Sequence, residues 1–132
     1  MKSSKILNIG LAGYSFGKKV HLEALKNSTI LNPLYFYHPN KKRGSAIEKE
    51  TGLDCYSDWN KLITNPKVDG LIIATPPEYR FKLAKEALLN NKNVLLEKPV
   101  AITSKEIEEL QRLSLKNNLS VCVDFEYRGV PL

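Results

Sequence analysis

At 132 residues, with 42% hydrophobic and 26% charged side chains, the chain is long enough to bury one core, too short for two, and too apolar to be disordered or fibrous. Its formal charge of +6 admits nucleic acid, acidic lipid or a phosphorylated small molecule, but the lysines are spread over most predicted helices without interleaved aromatics, so no nucleic-acid partner is expected. No run approaches the roughly 18 apolar residues of a membrane span, and the stretch after Lys5 is too short, and broken by Asn8, for a signal peptide; the expectation is no membrane partner and a cytoplasmic location.

The first strand is predicted over Ile6–Ala12, and a turn then leads into a helix beginning near Lys18. That turn holds Gly10, Gly13 and Gly17, with Tyr14, Ser15 and Phe16 between the last two. Glycines suit a place where the chain turns tightly and the backbone must approach a pyrophosphate, whose charge is met by free N–H groups at a helix start. These six residues are therefore candidate cofactor-binding positions, the other reading being a turn and nothing more. His21, one turn into the helix, reads as a packing or local hydrogen-bonding residue.

The second strand is predicted over Leu34–Tyr37. The acid that holds an adenosine 2′-hydroxyl in dinucleotide sites has no counterpart at its end, where the chain reads Tyr37-His38-Pro39-Asn40-Lys41-Lys42-Arg43. Cations at a helix start oppose the macrodipole, and an anion among His38, Lys42 and Arg43 would relieve that conflict. The 2′-phosphate of NADP fits, with a solvated basic face as the alternative.

A helix over Lys41–Thr51, ended by Gly52, leads to a third strand at Asp54–Tyr56 and a short helix, Asp58–Thr64, closed by Pro66. Tyr56 and Trp59 are assigned to packing. Gly70–Ala74 and Val94–Glu97 are almost continuously apolar, as strands covered on both faces should be. Between them Thr75, Pro76 and Pro77 open a helix in which Phe81, Ala84 and Leu88 share a side and which Asn90 and Asn91 end. Glu97-Lys98-Pro99 follows the fifth strand; Lys98 there could hydrogen-bond a ribose or substrate oxygen, or simply pair with Glu97. Thr103 and Glu106 form a capping box before a helix whose inner face is read from Ile107, Leu110 and Ser114, and Ser120–Asp124 is the last strand.

Strands alternating with amphipathic helices predict an α/β fold: a Rossmann-type, doubly wound parallel sheet of six strands in the order 3-2-1-4-5-6, with helices on both faces. The loops after Ala12, Ala74 and Leu96 then meet at one rim, where such sheets bind ligands. Cys55 and Cys122 fall on opposite edges, about 24 Å apart at about 4.8 Å per strand and beyond disulfide reach. With two histidines and two cysteines, none clustered in sequence, no metal site is expected.

Four segments carry a specific resemblance: Gly13 to His21, Ala74-Thr75-Pro76-Pro77, Leu95-Leu96-Glu97-Lys98-Pro99 and Val123 to Arg128. In this order they resemble the N-terminal domain of the Gfo/Idh/MocA oxidoreductases, the family of glucose–fructose oxidoreductase and inositol dehydrogenase. The resemblance covers about Ile6 to Pro131 and implies that residues 1–132 are an NAD(P)-binding domain. It implies that Gly13 to Gly17 cradle a pyrophosphate, that Thr75 and Pro76 line the cofactor cleft, and that Glu97 sits near the nicotinamide ribose. It makes Lys98 the active-site lysine, between nicotinamide ribose and substrate, before a cis peptide bond to Pro99. Ser15 departs from the family's glycine. The implied cofactor is NADP or NAD, with NADP favoured, and the implied reaction is hydride transfer to or from an alcohol or carbonyl of a sugar- or polyol-like substrate.

Family members continue past the Arg128 region into a second domain that holds most substrate contacts and the oligomer interface. No counterpart is seen in this sequence, so a polypeptide cut at the domain boundary is expected, rather than a truncated gene product. On that expectation the chain alone binds cofactor without turnover, meets its small-molecule substrate only with the second domain, and leaves a homo-oligomer open for the full-length protein. The alternative is a stand-alone redox-sensing nucleotide-binding module.

Overall fold

A computed structural model describes residues 5–129. Its sheet comprises β1 (Leu7–Ala12), β2 (Leu31–Tyr37), β3 (Cys55–Tyr56), β4 (Gly70–Ile73), β5 (Asn93–Glu97) and β6 (Val121–Asp124), all neighbours parallel, in the order β3-β2-β1-β4-β5-β6. The expected order is the observed one. Along β4, Leu71 and Ile73 enter one core and Ile72 the other, so both faces need apolar residues and no polar alternation shows in sequence.

One core packs α4 (Trp59–Ile63), α5 (Pro77–Leu89) and α6 (Ser104–Asn117) on the sheet through Leu62, Ala84, Leu88 and Leu110. The other packs the first helical segment and α3 (Lys41–Thr51) through Leu22, Leu25 and Ile47. Truncating a fully buried residue such as Ile73 would cost about 2–5 kcal/mol in this close-packed interior. Among the described residues no helix is long and apolar enough to cross a membrane.

Beyond single-residue differences at element ends, two boundaries and one helix face differ from the sequence reading. The first helical segment begins at Tyr14 rather than near Lys18: α1 (Tyr14–Phe16) runs directly into a π-helical stretch (Gly17–Leu22) and then α2 (Glu23–Lys26). Gly13 alone turns the chain, with φ 101°, so no further loop residues are needed. β2 starts at Leu31, upstream of the expected Leu34, because a register shift between Ile9 and Gly10 accommodates Pro33 in the ladder. On α6 the inward residues are Leu110 and Leu113, while Ile107 is half exposed. The Thr103–Glu106 capping box forms as read from sequence.

Candidate functional site

Register brings the strand ends to one rim: Ala12 pairs with Ile73 and Ile73 with Leu96. The loops after β1, β4 and β5 therefore leave the sheet side by side. The first two touch through their backbones. A Cβ placed on Gly13 would lie 2.4 Å from both the carbonyl carbon and the oxygen of Ala74, so only glycine fits there. Gly17 is different, since a Cβ added to it would meet only a Phe36 ring carbon, at 4.0 Å. Gly17 is itself buried against the helix start, and no side chain caps the Tyr14 end of the helix. Gly10 lies within β1, and a Cβ there would meet the Leu71 and Leu62 side chains.

Between Gly13–Tyr14, the end of β2 and the start of α5 lies a cleft of about 480 Å³. Tyr37, His38 and Pro39 form one wall, Thr75, Pro76 and Tyr79 another, and Trp59 joins the lining. The Thr75 hydroxyl and the Trp59 indole N–H are buried without a hydrogen-bond partner among the described residues. Burial, reinforced by the Glu86 and Asp58 carboxylates, raises the Tyr37 pKa, so the phenol stays neutral. Across the rim the Tyr14 hydroxyl and the Lys18 ammonium both meet the Glu50 carboxylate of α3, which raises the Lys18 pKa and lowers that of Glu50.

Beyond this cleft, Lys98 lines a second, more open cavity of about 560 Å³ with Phe125, Glu126, Tyr127 and Arg128. The Lys98–Pro99 peptide is cis. Glu97 does not pair with Lys98. Its carboxylate meets His21 Nε2 at 2.7 Å, and Asp124 approaches the same nitrogen at 3.7 Å. The Lys98 ammonium instead lies 3.2 Å from Glu126, whose pKa is lowered first by its own backbone N–H and then by Lys98. Three potential ligand atoms, from His21, Glu97 and Asp124, thus lie within 4.8 Å of one another, a grouping hidden by their distance in sequence.

Of the sequence-proposed positions, Gly13, Tyr14, His38, Thr75 and Pro76 line the first cleft and Lys98 the second cavity. Ser15, Phe16 and Gly17 follow in the first turns of the helix, and Pro77 opens α5. Lys42 and Arg43 are exposed in the first turn of α3 and are not among the cleft's lining residues; the main-chain N–H of Arg43 is taken by the Asn40 side chain, which caps that helix. Glu97 is buried behind the rim, 6% exposed.

Sequence reasoning missed Arg80. It is 4% exposed, and its guanidinium donates from Nη1 to the carbonyls of Glu97, at 2.7 Å, and Pro99, and from Nη2 to that of Thr75. A cation on the stripe formed with Leu83, Ala84 and Ala87 was the available signal. His21 was read as local, although its partner lies 76 residues away.

A dinucleotide fits these features: a glycine-only turn, an uncapped helix start and an aromatic cleft whose Thr75 hydroxyl and Trp59 N–H lack partners among the described residues. The profile of the oxidoreductase family with an NAD-binding Rossmann fold matches residues 7–125. An uncharacterized oxidoreductase of Synechocystis is 34% identical over 99% of this chain and 36% of its own length. Levoglucosan dehydrogenase of Pseudarthrobacter phenanthrenivorans is 27% identical over 95% of this chain and 34% of its own. The crystal structure of an NAD-binding protein from Listeria innocua superposes with a TM-score of 0.88 at 25% identity, covering 95% of this chain and 37% of that one. This chain spans about a third of the length of such relatives. With the profile match running from β1 to the end of β6, the chain belongs to the Gfo/Idh/MocA oxidoreductase family, through its NAD-binding Rossmann domain.

Proposed function

We propose that this domain binds NADP(H) in preference to NAD(H) and that the whole protein is a dehydrogenase of a sugar- or polyol-like substrate. The observation that carries the cofactor reading is the backbone contact of Gly13 with Ala74, which leaves the start of the first helix facing an aromatic cleft. Gly13 to Gly17 would hold the pyrophosphate, and Tyr37, His38, Thr75 and Pro76 the adenosine end. When bound, the cofactor supplies or accepts a hydride at its nicotinamide ring.

Lys98 is the residue proposed to meet a substrate oxygen and to hold the proton that this oxygen loses or regains. Its ammonium is half exposed and paired only with Glu126 among the described residues, so it can exchange that partner for a substrate. The substrate class rests on the name of the levoglucosan relative and on the family. The NADP preference rests on the absence of an acid at the end of β2 and on the exposed cations Lys42 and Arg43, close in sequence to His38 and Pro39, which line the cleft.

Equilibrium titration of the chain with NADPH and NADH tests this reading. Changing Lys42 and Arg43 together to alanine should weaken NADPH about ten- to hundredfold, the loss of a charge-assisted contact, and leave NADH within about twofold. Equal losses for both cofactors would remove the 2′-phosphate assignment. Binding of neither by the parent chain would remove the cofactor reading.

A further inference from the structure

Arg80 is the side chain most at odds with its surroundings. It occupies the buried stripe of α5 beside Leu83 and Ala84, where a guanidinium out of water is costly unless its hydrogen bonds are met, and its Nε has no partner among the described residues. Burial lowers its pKa, against the opposing pull of the Glu97 and Glu78 carboxylates. What it gains is three main-chain carbonyls, and their identity is informative. Two of them, Glu97 and Pro99, flank Lys98 and share one nitrogen, Nη1. The third, Thr75, lies in the loop that lines the adenosine-side cleft.

Holding the Glu97 carbonyl fixes the peptide unit that enters Lys98, and holding the Pro99 carbonyl, one peptide unit beyond the one that leaves Lys98, limits how far that leaving unit can turn. The Glu97 side chain is held separately, by His21. The backbone at Lys98 and the carboxylate beside it are thus fixed by different elements. We infer that Arg80 is a positioning residue for Lys98: it sets the direction of that lysine by gripping the main chain on both sides and locks the β5–α6 loop to the β4–α5 loop. This rests on the cofactor reading above. Lysine cannot replace arginine here, because a single ammonium on a flexible stem does not present the planar fork that serves three carbonyls on two loops.

The chain permits a test that separates position from stability, because the two cavities are distinct. On the proposed placement, ADP would reach only the Tyr37–Thr75 cleft, whereas NADPH would extend toward Lys98. Arg80→Lys should weaken NADPH about tenfold and ADP, whose cleft meets Arg80 only through the Thr75 loop, by about threefold or less, measured by titration at a temperature where thermal melting shows the variant folded. In a Lys98→Ala background the same substitution should have no further effect on NADPH, since neighbours acting through one another are not additive.

Equal loss of both ligands, no loss of either, or full additivity with Lys98→Ala would each overturn the inference. A parent chain that binds both ligands keeps the cofactor reading even then, whereas one that binds neither takes both down. Should Arg80→Lys not fold, NMR of the parent chain decides: the Arg80 Nη1 protons, which meet the carbonyls of Glu97 and Pro99, should be individually resolved and should shift on adding NADPH but not ADP. A single averaged signal, or equal shifts with both, would overturn it.

Discussion

Gly13→Ala and Gly17→Ala make the sharpest test of how this rim is built, because the same methyl group meets opposite surroundings. At Gly13 the new Cβ would stand 2.4 Å from the Ala74 carbonyl, which is backbone and cannot rotate away, and the residue sits at φ 101°. Backbone strain of about 1–3 kcal/mol adds to an overpacking cost of about 1–3 kcal/mol, a loss of roughly 2–6 kcal/mol. Against a typical domain stability of about 5–15 kcal/mol, that leaves a folded but weakened protein or an unfolded one. At about 4 °C per kcal/mol for a domain of this size, the melting temperature should fall by roughly 8–24 °C. Gly17 has helical φ and ψ, and a Cβ there would touch only Phe36 at 4.0 Å. Alanine at that position should leave melting unchanged or raise it slightly, by up to about 1 kcal/mol of helix propensity. It should nevertheless weaken NADPH, because Gly17 belongs to the segment proposed to hold the pyrophosphate, and a methyl there changes how closely that backbone can be approached. Differential scanning fluorimetry and a cofactor titration on the two variants decide the matter. A Gly13→Ala protein that melts like its parent would refute the steric argument, and a Gly17→Ala protein with undiminished affinity would refute the placement of the pyrophosphate.

Two further outcomes follow from local chemistry. Burial, with Glu48 nearby, pushes the Cys55 thiol up to about 11, whereas Cys122 is exposed on the edge strand. Because the thiolate is the nucleophile and a raised pKa keeps the thiol protonated below it, native protein at mildly alkaline pH should take up one equivalent of N-ethylmaleimide, at Cys122. Cys55 should react only as the pH nears about 11 or on unfolding, and prompt double labelling seen by mass spectrometry would contradict this. Thr103→Ala removes the acceptor for the Glu106 N–H at the start of α6 and should cost about 1 kcal/mol, a fall of about 4 °C in melting temperature, with cofactor affinity unchanged. An unaltered melting curve would deny the capping box its energetic role.

Legibility in the sequence followed the range of the interactions. β4 and β5 declared themselves because burial on both faces leaves them without alternation, and strands of that kind belong in the middle of a parallel sheet. The capping box was equally plain, being complete within four residues. The start of the first helix was misplaced because Gly13 finishes the turn alone, through a torsion angle that no composition reveals. Pro33 hid the first half of β2, since its tolerance goes with an extra residue, Leu34, that shifts the register against β1 and shows only once the two strands are paired. His21 and Glu97 lie 76 residues apart, and nothing in their spacing links them before the sheet is assembled. Arg80 could have been found as a buried cation, because one on the same helical stripe as Leu83, Ala84 and Ala87 needs hydrogen-bond acceptors inside the fold, although not which ones.

These residues also explain why the two halves of the rim are held by different forces. Around Gly13 the loops meet as bare backbone, and their geometry is set by sterics that neither salt nor pH alters. Around Lys98 they are held by buried polar groups, Arg80 on the carbonyls and His21 on the Glu97 carboxylate. Such networks contribute little net stability, because desolvation offsets much of what the hydrogen bonds return, and an apolar replacement of similar volume often folds as well. What an apolar replacement could not do is hold the main chain on both sides of one exposed lysine. The cost of burying Arg80 is therefore matched by the orientation of Lys98 rather than by the stability of the fold, and it is the end of the rim proposed to be reactive, not the glycine end, that carries this expense.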